Sequence, residues 1–219
     1  MPALLFDLDG TMLDTDAIHR QVFVDMLGPR GIEVTEDFYR DHIHGRLNAD
    51  FFAEWLPDEP DPIRLSDEKE AEFRRRLPRP YPAMPGVVAL VERATEAGWP
   101  MAVVTNAMRP NAEAMLEAIG LRAHFDLLVI GEECPRGKPD PYPYVHAMEQ
   151  LGVTPQTAIA FEDSPSGIRA AVGSGARTVA VRSALTREAA LAEGAHASIQ
   201  DFTDPALEDE LRRLKGVPT

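Results

Sequence analysis

The chain has 219 residues, 44% of them apolar, enough for a full hydrophobic core in one large domain or in one domain carrying a smaller insert. Against 22 Lys and Arg stand 36 Asp and Glu, and the resulting charge of −14 argues against nucleic acid or an anionic membrane as a partner, since both are polyanions. No apolar run approaches the ~20 residues of a membrane span, the start is unlike a signal peptide, and the single cysteine, Cys134, excludes an internal disulfide framework, so a cytoplasmic monomer is expected.

The first element is the apolar run Ala3–Phe6, which leads into Asp7-Leu8-Asp9-Gly10-Thr11. A strand alternates its side chains, so Asp7 and Asp9 fall on one side and Leu8 on the other. Two carboxylates so close repel unless they share a proton or bind a cation. The alternative is a plain strand end, with Asp-Gly-Thr supplying turn and cap chemistry. From Asp16 to about Leu77 charged helical stretches dominate, at 17–27, 36–43, 49–55 and 67–77, and they spell an all-α insert. Pro-rich segments at 56–62 and 77–82 break the pattern, the second as a linker.

Beyond Ala83 short apolar runs alternate with helix-length amphipathic stretches, the rhythm of an α/β fold. Strands are expected at 101–104, 127–130, 158–161, 178–181 and 197–199. Helices are expected at 85–97, 110–119, 142–151, 164–174 and 205–214, several with a glycine just past the end. Continuous apolar strands fit a parallel sheet covered on both faces. The expected fold class is therefore α/β, a Rossmann-like doubly wound parallel sheet formed by residues 1–15 and 81–219, with an inserted all-α cap of residues 16–80. An insert entering directly after the Asp-bearing strand would sit over the carboxyl edge of the sheet, where such sheets hold their ligands.

Three further polar groups fall at the ends of expected strands. Thr105-Asn106 offers hydrogen-bond donors before a helix start, although such a pair also serves as an ordinary cap. Lys138 lies in Gly137-Lys138-Pro139, one of only three lysines, with Lys69 and Lys215, against nineteen arginines. A compact ammonium can meet a carboxylate and a phosphate oxygen together, and the alternative is a solvated loop lysine. Glu162-Asp163 closes the strand before Ser164-Pro165, where Asp163 could simply cap the next helix. Four carboxylates meeting at neighbouring strand ends are costly unless a hard cation binds, and oxygen donors beside a phosphate favour Mg²⁺. Metal, lysine and neutral donors around one nucleophilic carboxylate suit phosphoryl transfer.

The ordered set Asp7-Leu8-Asp9-Gly10-Thr11, Val104-Thr105-Asn106, Gly137-Lys138-Pro139 and Phe161-Glu162-Asp163-Ser164 resembles the haloacid dehalogenase superfamily, in the helical-cap subgroup with β-phosphoglucomutase and phosphoglycolate phosphatase. The resemblance implies that Asp7 attacks phosphorus to form an aspartyl-phosphate and that Asp9 is the general acid and then the base. It implies Mg²⁺ held by Asp7, the Asp9 carbonyl and Asp163 with Glu162 in support, and phosphoryl oxygens bound by Thr105, Lys138 and Asn106. Asp9 argues against dehalogenases, which carry an aromatic residue there, and against phosphonatases, which carry a small one and use a cap lysine. The cap's Lys69 reads as part of a solvated charged helix face. Substrate selection is expected from the cap: His19, and the polar loop with His42, His44, Gly45, Arg46 and Asn48. Neutral Asn48, where the mutase has an arginine, favours a phosphatase acting on a small phosphorylated metabolite over a mutase. A non-catalytic binder of such metabolites is the alternative of another class.

Overall fold

The computed structural model describes residues 2–43 and 46–215, so His44 and Gly45 of the polar loop lie outside the described residues. The described residues divide into two compact units, Thr15–Pro78 and the chain on either side of it, up to Asp14 and from Arg79 onward.

The helical unit holds α1 (Asp16–Leu27), the short α2 (Glu36–Phe38) running on into a π-helical turn at Tyr39–Ile43, α3 (Asn48–Trp55) and α4 (Pro62–Arg76). Helix α4 begins five residues before the expected start at 67. Asp61 accepts the Arg64 N–H at 2.9 Å and Pro62 occupies the first helical position, so the Pro-rich break is itself the helix start. Phe23, Phe51, Phe52 and Leu65 are fully buried and form the core of this unit. The Phe23 and Phe51 rings meet edge to face at 5.6 Å, a geometry their quadrupoles favour.

The second unit is a six-stranded parallel sheet in the order β3-β2-β1-β4-β5-β6. Its strands are β1 (Ala3–Phe6), β2 (Met101–Thr105), β3 (Leu127–Ile130), β4 (Ala158–Glu162), β5 (Arg177–Val181) and β6 (Ala197–Ile199). Helices α5 (Val87–Glu96), α6 (Arg109–Ala118), α7 (Tyr142–Leu151), α8 (Pro165–Gly173), α9 (Arg187–Ala192) and α10 (Ala206–Lys215) connect and follow them. Every residue of β1, β2 and β4 is buried, which is why these strands read as unbroken apolar runs. Helix α7 stops at Gly152, whose left-handed φ of 66° lets its N–H turn back to Glu149 O. Helix α9 carries no expectation from the sequence; its six residues start where Thr186 accepts the Ala189 N–H. No helix among the described residues is long and apolar enough to cross a membrane.

Strand β1 lies between β2 and β4, so the chain winds away from it in both directions and leaves a crevice at the strands' carboxyl ends. Phe6 pairs in register with Phe161, and their rings stack at 5.2 Å. That contact anchors the two strands one residue before Asp7 and Glu162.

Candidate active site

Asp7 continues the ladder one step past β1, donating its N–H to Phe161 O at 2.9 Å. The chain then turns sharply: Met12 N–H reaches back to Leu8 O at 2.8 Å, and Gly10 N–H donates to Leu13 O at 2.7 Å. Leu8 is buried in the core while Asp9 is half-buried, consistent with period-two alternation. Gly10 has φ +84°, and a Cβ there would fall 2.1 Å from Asp163 Oδ2. The turn therefore needs glycine twice over, for its backbone and for the carboxylate packed against it.

Lys138 is the hub. Its ammonium donates to Asp7 Oδ1 at 2.6 Å, to Val104 O at 2.7 Å and to Glu162 Oε1 at 2.5 Å, using all three protons. The loop that carries it is clamped by Asn106, whose Nδ2 donates to Lys138 O and whose Oδ1 accepts the Lys138 N–H, both at 3.1 Å. Gly131 and Gly137 leave room for this clamp, since a Cβ would come within 2.2 Å and 3.0 Å of Asn106 Oδ1. Asn106 thus acts on the lysine loop through both ends of its amide. Thr105, at the end of β2, accepts the Ala107 N–H at 3.1 Å and keeps its hydroxyl proton for another acceptor.

Glu162 is completely buried, and each of its oxygens has two donors. Oε1 accepts from Lys138 and from Tyr144 Oη at 2.7 Å; Oε2 accepts the Asp163 N–H at 3.2 Å and the Ser164 hydroxyl at 3.4 Å. Its carboxylate is saturated as an anchor for Lys138. Among the described residues the Asp163 carboxylate accepts from neutral hydroxyls, Thr11 at 3.3 Å and Ser183 at 2.8 Å, and so retains lone pairs.

Carboxylate oxygens of Asp7, Glu162 and Asp163 lie within 4.8 Å of one another. One ammonium faces three carboxylates in a nearly water-free volume. Burial pushes Asp7 well above the usual carboxylate range; Lys138 opposes the shift while Glu162 and Asp163 add to it. Burial, then the charge of Glu162, raises Asp163 to about 7. Burial pulls Lys138 down, but Asp7 and Glu162 outweigh it and hold the ammonium above its ordinary value. The site is short of positive charge and the side-chain groups gathered there offer oxygen, so a hard divalent cation fits it.

In the helical unit, His19 stacks flat on Phe73 with centroids 3.9 Å apart, and its Nδ1 lies 2.6 Å from Lys69 Nζ. Lys69 also donates to Glu70 at 2.8 Å, and Glu70 accepts Asn48 Nδ2 at 2.6 Å. The expectation of a solvated Lys69 is therefore corrected: its side chain is 4% exposed. The charged run hides a four-residue period, Leu65, Lys69 and Phe73, that turns the lysine inward with two core residues. Two of the expected substrate-selecting residues, His19 and Asn48, share one polar cluster with Lys69 and Glu70. Arg46 stands apart, paired with Glu54 at 2.7 Å.

Tyr144 and Ser183 carry no expectation from the sequence, and Thr11 appears there only as part of a motif. Position could have flagged Ser183, because it lies two residues past the carboxyl end of β5, at the same sheet edge where Asp163 lies one residue past β4. Tyr144 offers no such signal, as an aromatic residue on an amphipathic helix reads as core.

Residues 4–181 match the family described as Haloacid dehalogenase-like hydrolase. Protein CbbY of Rhodobacter capsulatus is 30% identical over 199 residues, which cover 85% of this chain and 88% of that protein. Fructose-1-phosphate phosphatase YqaB of Escherichia coli is 33% identical over 186 residues, covering 82% and 95% respectively. A solved structure of CbbY from Rhodobacter sphaeroides in complex with xylulose-(1,5)bisphosphate superposes with a TM-score of 0.80 at 30% identity, over 92% of this chain and 95% of that one.

Proposed function

We propose that this chain, which belongs to the haloacid dehalogenase-like hydrolase family and is a phosphoric monoester hydrolase, dephosphorylates a small sugar phosphate with Mg²⁺ through an aspartyl-phosphate on Asp7. One observation carries the reading. The Asp7 carboxylate emerges at the carboxyl end of the central strand, held at 2.6 Å by a buried ammonium and grouped with the two acids that close the neighbouring strand.

In this reading Asp7 attacks phosphorus with one carboxylate oxygen while the leaving oxygen takes a proton from Asp9. Asp9 then accepts a proton from water, which attacks the acyl phosphate and regenerates Asp7. Lys138, fixed by Glu162, Val104 O and the Asn106 clamp, keeps the attacking carboxylate oriented and balances phosphoryl charge as it develops. Thr105 directs its hydroxyl proton to a phosphoryl oxygen. The Asp7 and Asp163 carboxylates and the Asp9 carbonyl would hold Mg²⁺, which would supply positive charge to balance the phosphoryl oxygens. The sugar-phosphate class rests on the relatives, one a fructose-1-phosphate phosphatase and one with xylulose bisphosphate bound.

Asp7→Asn tests the assignment, because the amide keeps an oxygen for Lys138 but is no nucleophile. Turnover of an aryl phosphate is expected to vanish with the melting curve little changed, and removal of Mg²⁺ with a chelator is expected to abolish activity in the wild type. Near-native turnover by the variant, or by the chelated enzyme, sinks the mechanism.

A further inference from the structure

Resting on the Mg²⁺ reading above, we infer that Ser183 is a positioning residue for the metal-binding carboxylate of Asp163. Its hydroxyl donates to Asp163 Oδ2 at 2.8 Å, while Thr11 donates to the other oxygen, Oδ1, at 3.3 Å. The two hydroxyls approach opposite oxygens and fix the rotation of the carboxylate about its bond to Cβ. Both are neutral, so they orient the group without cancelling its charge. Each occupies one of two lone pairs on its oxygen and leaves the other for a cation.

The backbone places Ser183 for this contact. Glu162 pairs with Ala180 in the β4–β5 register, which sets Asp163 beside Val181, two residues before Ser183. The chain would run on past the site in an extended form, but Ser183 N–H donates to Val181 O at 3.0 Å, a three-residue turn that folds it back. Arg182 is tied meanwhile to the outer strand, its N–H to Ile199 O at 3.0 Å and its guanidinium to Ser198 O at 3.2 Å. Strand β6, remote in sequence from the acids, thereby fixes the loop that orients one of them. Gly10 packs against the same oxygen, Asp163 Oδ2, so closely that a Cβ would lie 2.1 Å from it.

Partners of metal ligands typically contribute 10- to 100-fold in metal affinity. Ser183 stands on an exposed loop where water can take part of its role, so the lower end applies. The test is calorimetric titration of MgCl₂ into the full chain without substrate, for wild type, Ser183→Ala and Ser183→Thr. Ser183→Ala is expected to weaken Mg²⁺ binding about tenfold with the metal-free melting temperature within about 2 °C of wild type, and Ser183→Thr, which keeps the hydroxyl, to bind within about twofold of wild type. Affinity within about twofold for Ser183→Ala overturns the inference while the Mg²⁺ reading stands, and so does an equal loss in Ser183→Thr and Ser183→Ala. A fall in metal-free melting temperature with unchanged Mg²⁺ affinity assigns Ser183 a purely structural role and overturns it too. A wild type that binds no Mg²⁺ overturns both.

Discussion

Replacing Lys138 by Met keeps the length of the side chain and removes its charge and three donors. The ammonium satisfies Asp7, Glu162 and Val104 O in a region where its own side chain is 3% exposed. Breaking a buried ion pair by deleting one partner costs about 3–5 kcal/mol, a large part of the roughly 5–15 kcal/mol that stabilises an ordinary domain. The loss is expected to depend on pH. Burial already holds Asp7 well above the usual carboxylate range, and Lys138 is what opposes that shift. Without the lysine the folded state retains a proton on Asp7 to higher pH than the unfolded chain does. A raised carboxylate contributes stability that is complete below its unfolded value near 4 and is lost as pH rises through the folded value. The deficit of the variant is therefore larger at about pH 8 than at about pH 5. Urea denaturation of metal-free wild type and variant at both pH values measures it, and aryl phosphate hydrolysis is expected to fall about 10²–10³-fold in kcat, as for loss of one preorganised donor to a developing charge. A variant within about 1 kcal/mol of wild type at both pH values, or within about tenfold in kcat, would refute the view of Lys138 as the electrostatic centre of the site.

Asp163, raised from 3.8 to about 7 by burial and by Glu162, gives metal-free protein a stability increment that is complete below about pH 4 and lost as pH rises through about 7. Mg²⁺ competes with that proton, so the rise in melting temperature on adding Mg²⁺ is expected to be larger at about pH 8 than at about pH 5, and equal shifts would count against Asp163 as a ligand. Incubation with β-glucose 1-phosphate and a trace of the 1,6-bisphosphate is expected to yield free phosphate. Arg46 is already paired with Glu54, and Asn48 is a neutral amide that donates to Glu70, so neither presents an unpaired cation for a second phosphate. Rapid formation of glucose 6-phosphate with little free phosphate would restore the mutase.

What the sequence by itself determined was whatever depends on neighbouring residues. Ala3–Phe6 and Leu127–Ile130 were legible to the residue because a buried parallel strand shows as an unbroken apolar run. Asp7, Glu162, Asp163 and Lys138 stood out because strand ends and the following loops carry polar chemistry in such sheets. Tertiary structure alone decided what each group touches. Lys69 sat in a charged run that reads as solvated, yet the packing of α4 buried it against His19 and Glu70. Asn106 offered donors in the sequence, but the return of the chain 32 residues later made it the clamp on Lys138. Tyr144 and Ser183 acquired their roles from carboxylates 18 and 20 positions away, and Thr11 from one 152 away. Periodicity records which face of an element is apolar; it holds no record of which distant oxygen a hydroxyl will meet, because that contact exists only after the strands have paired and the helices have packed.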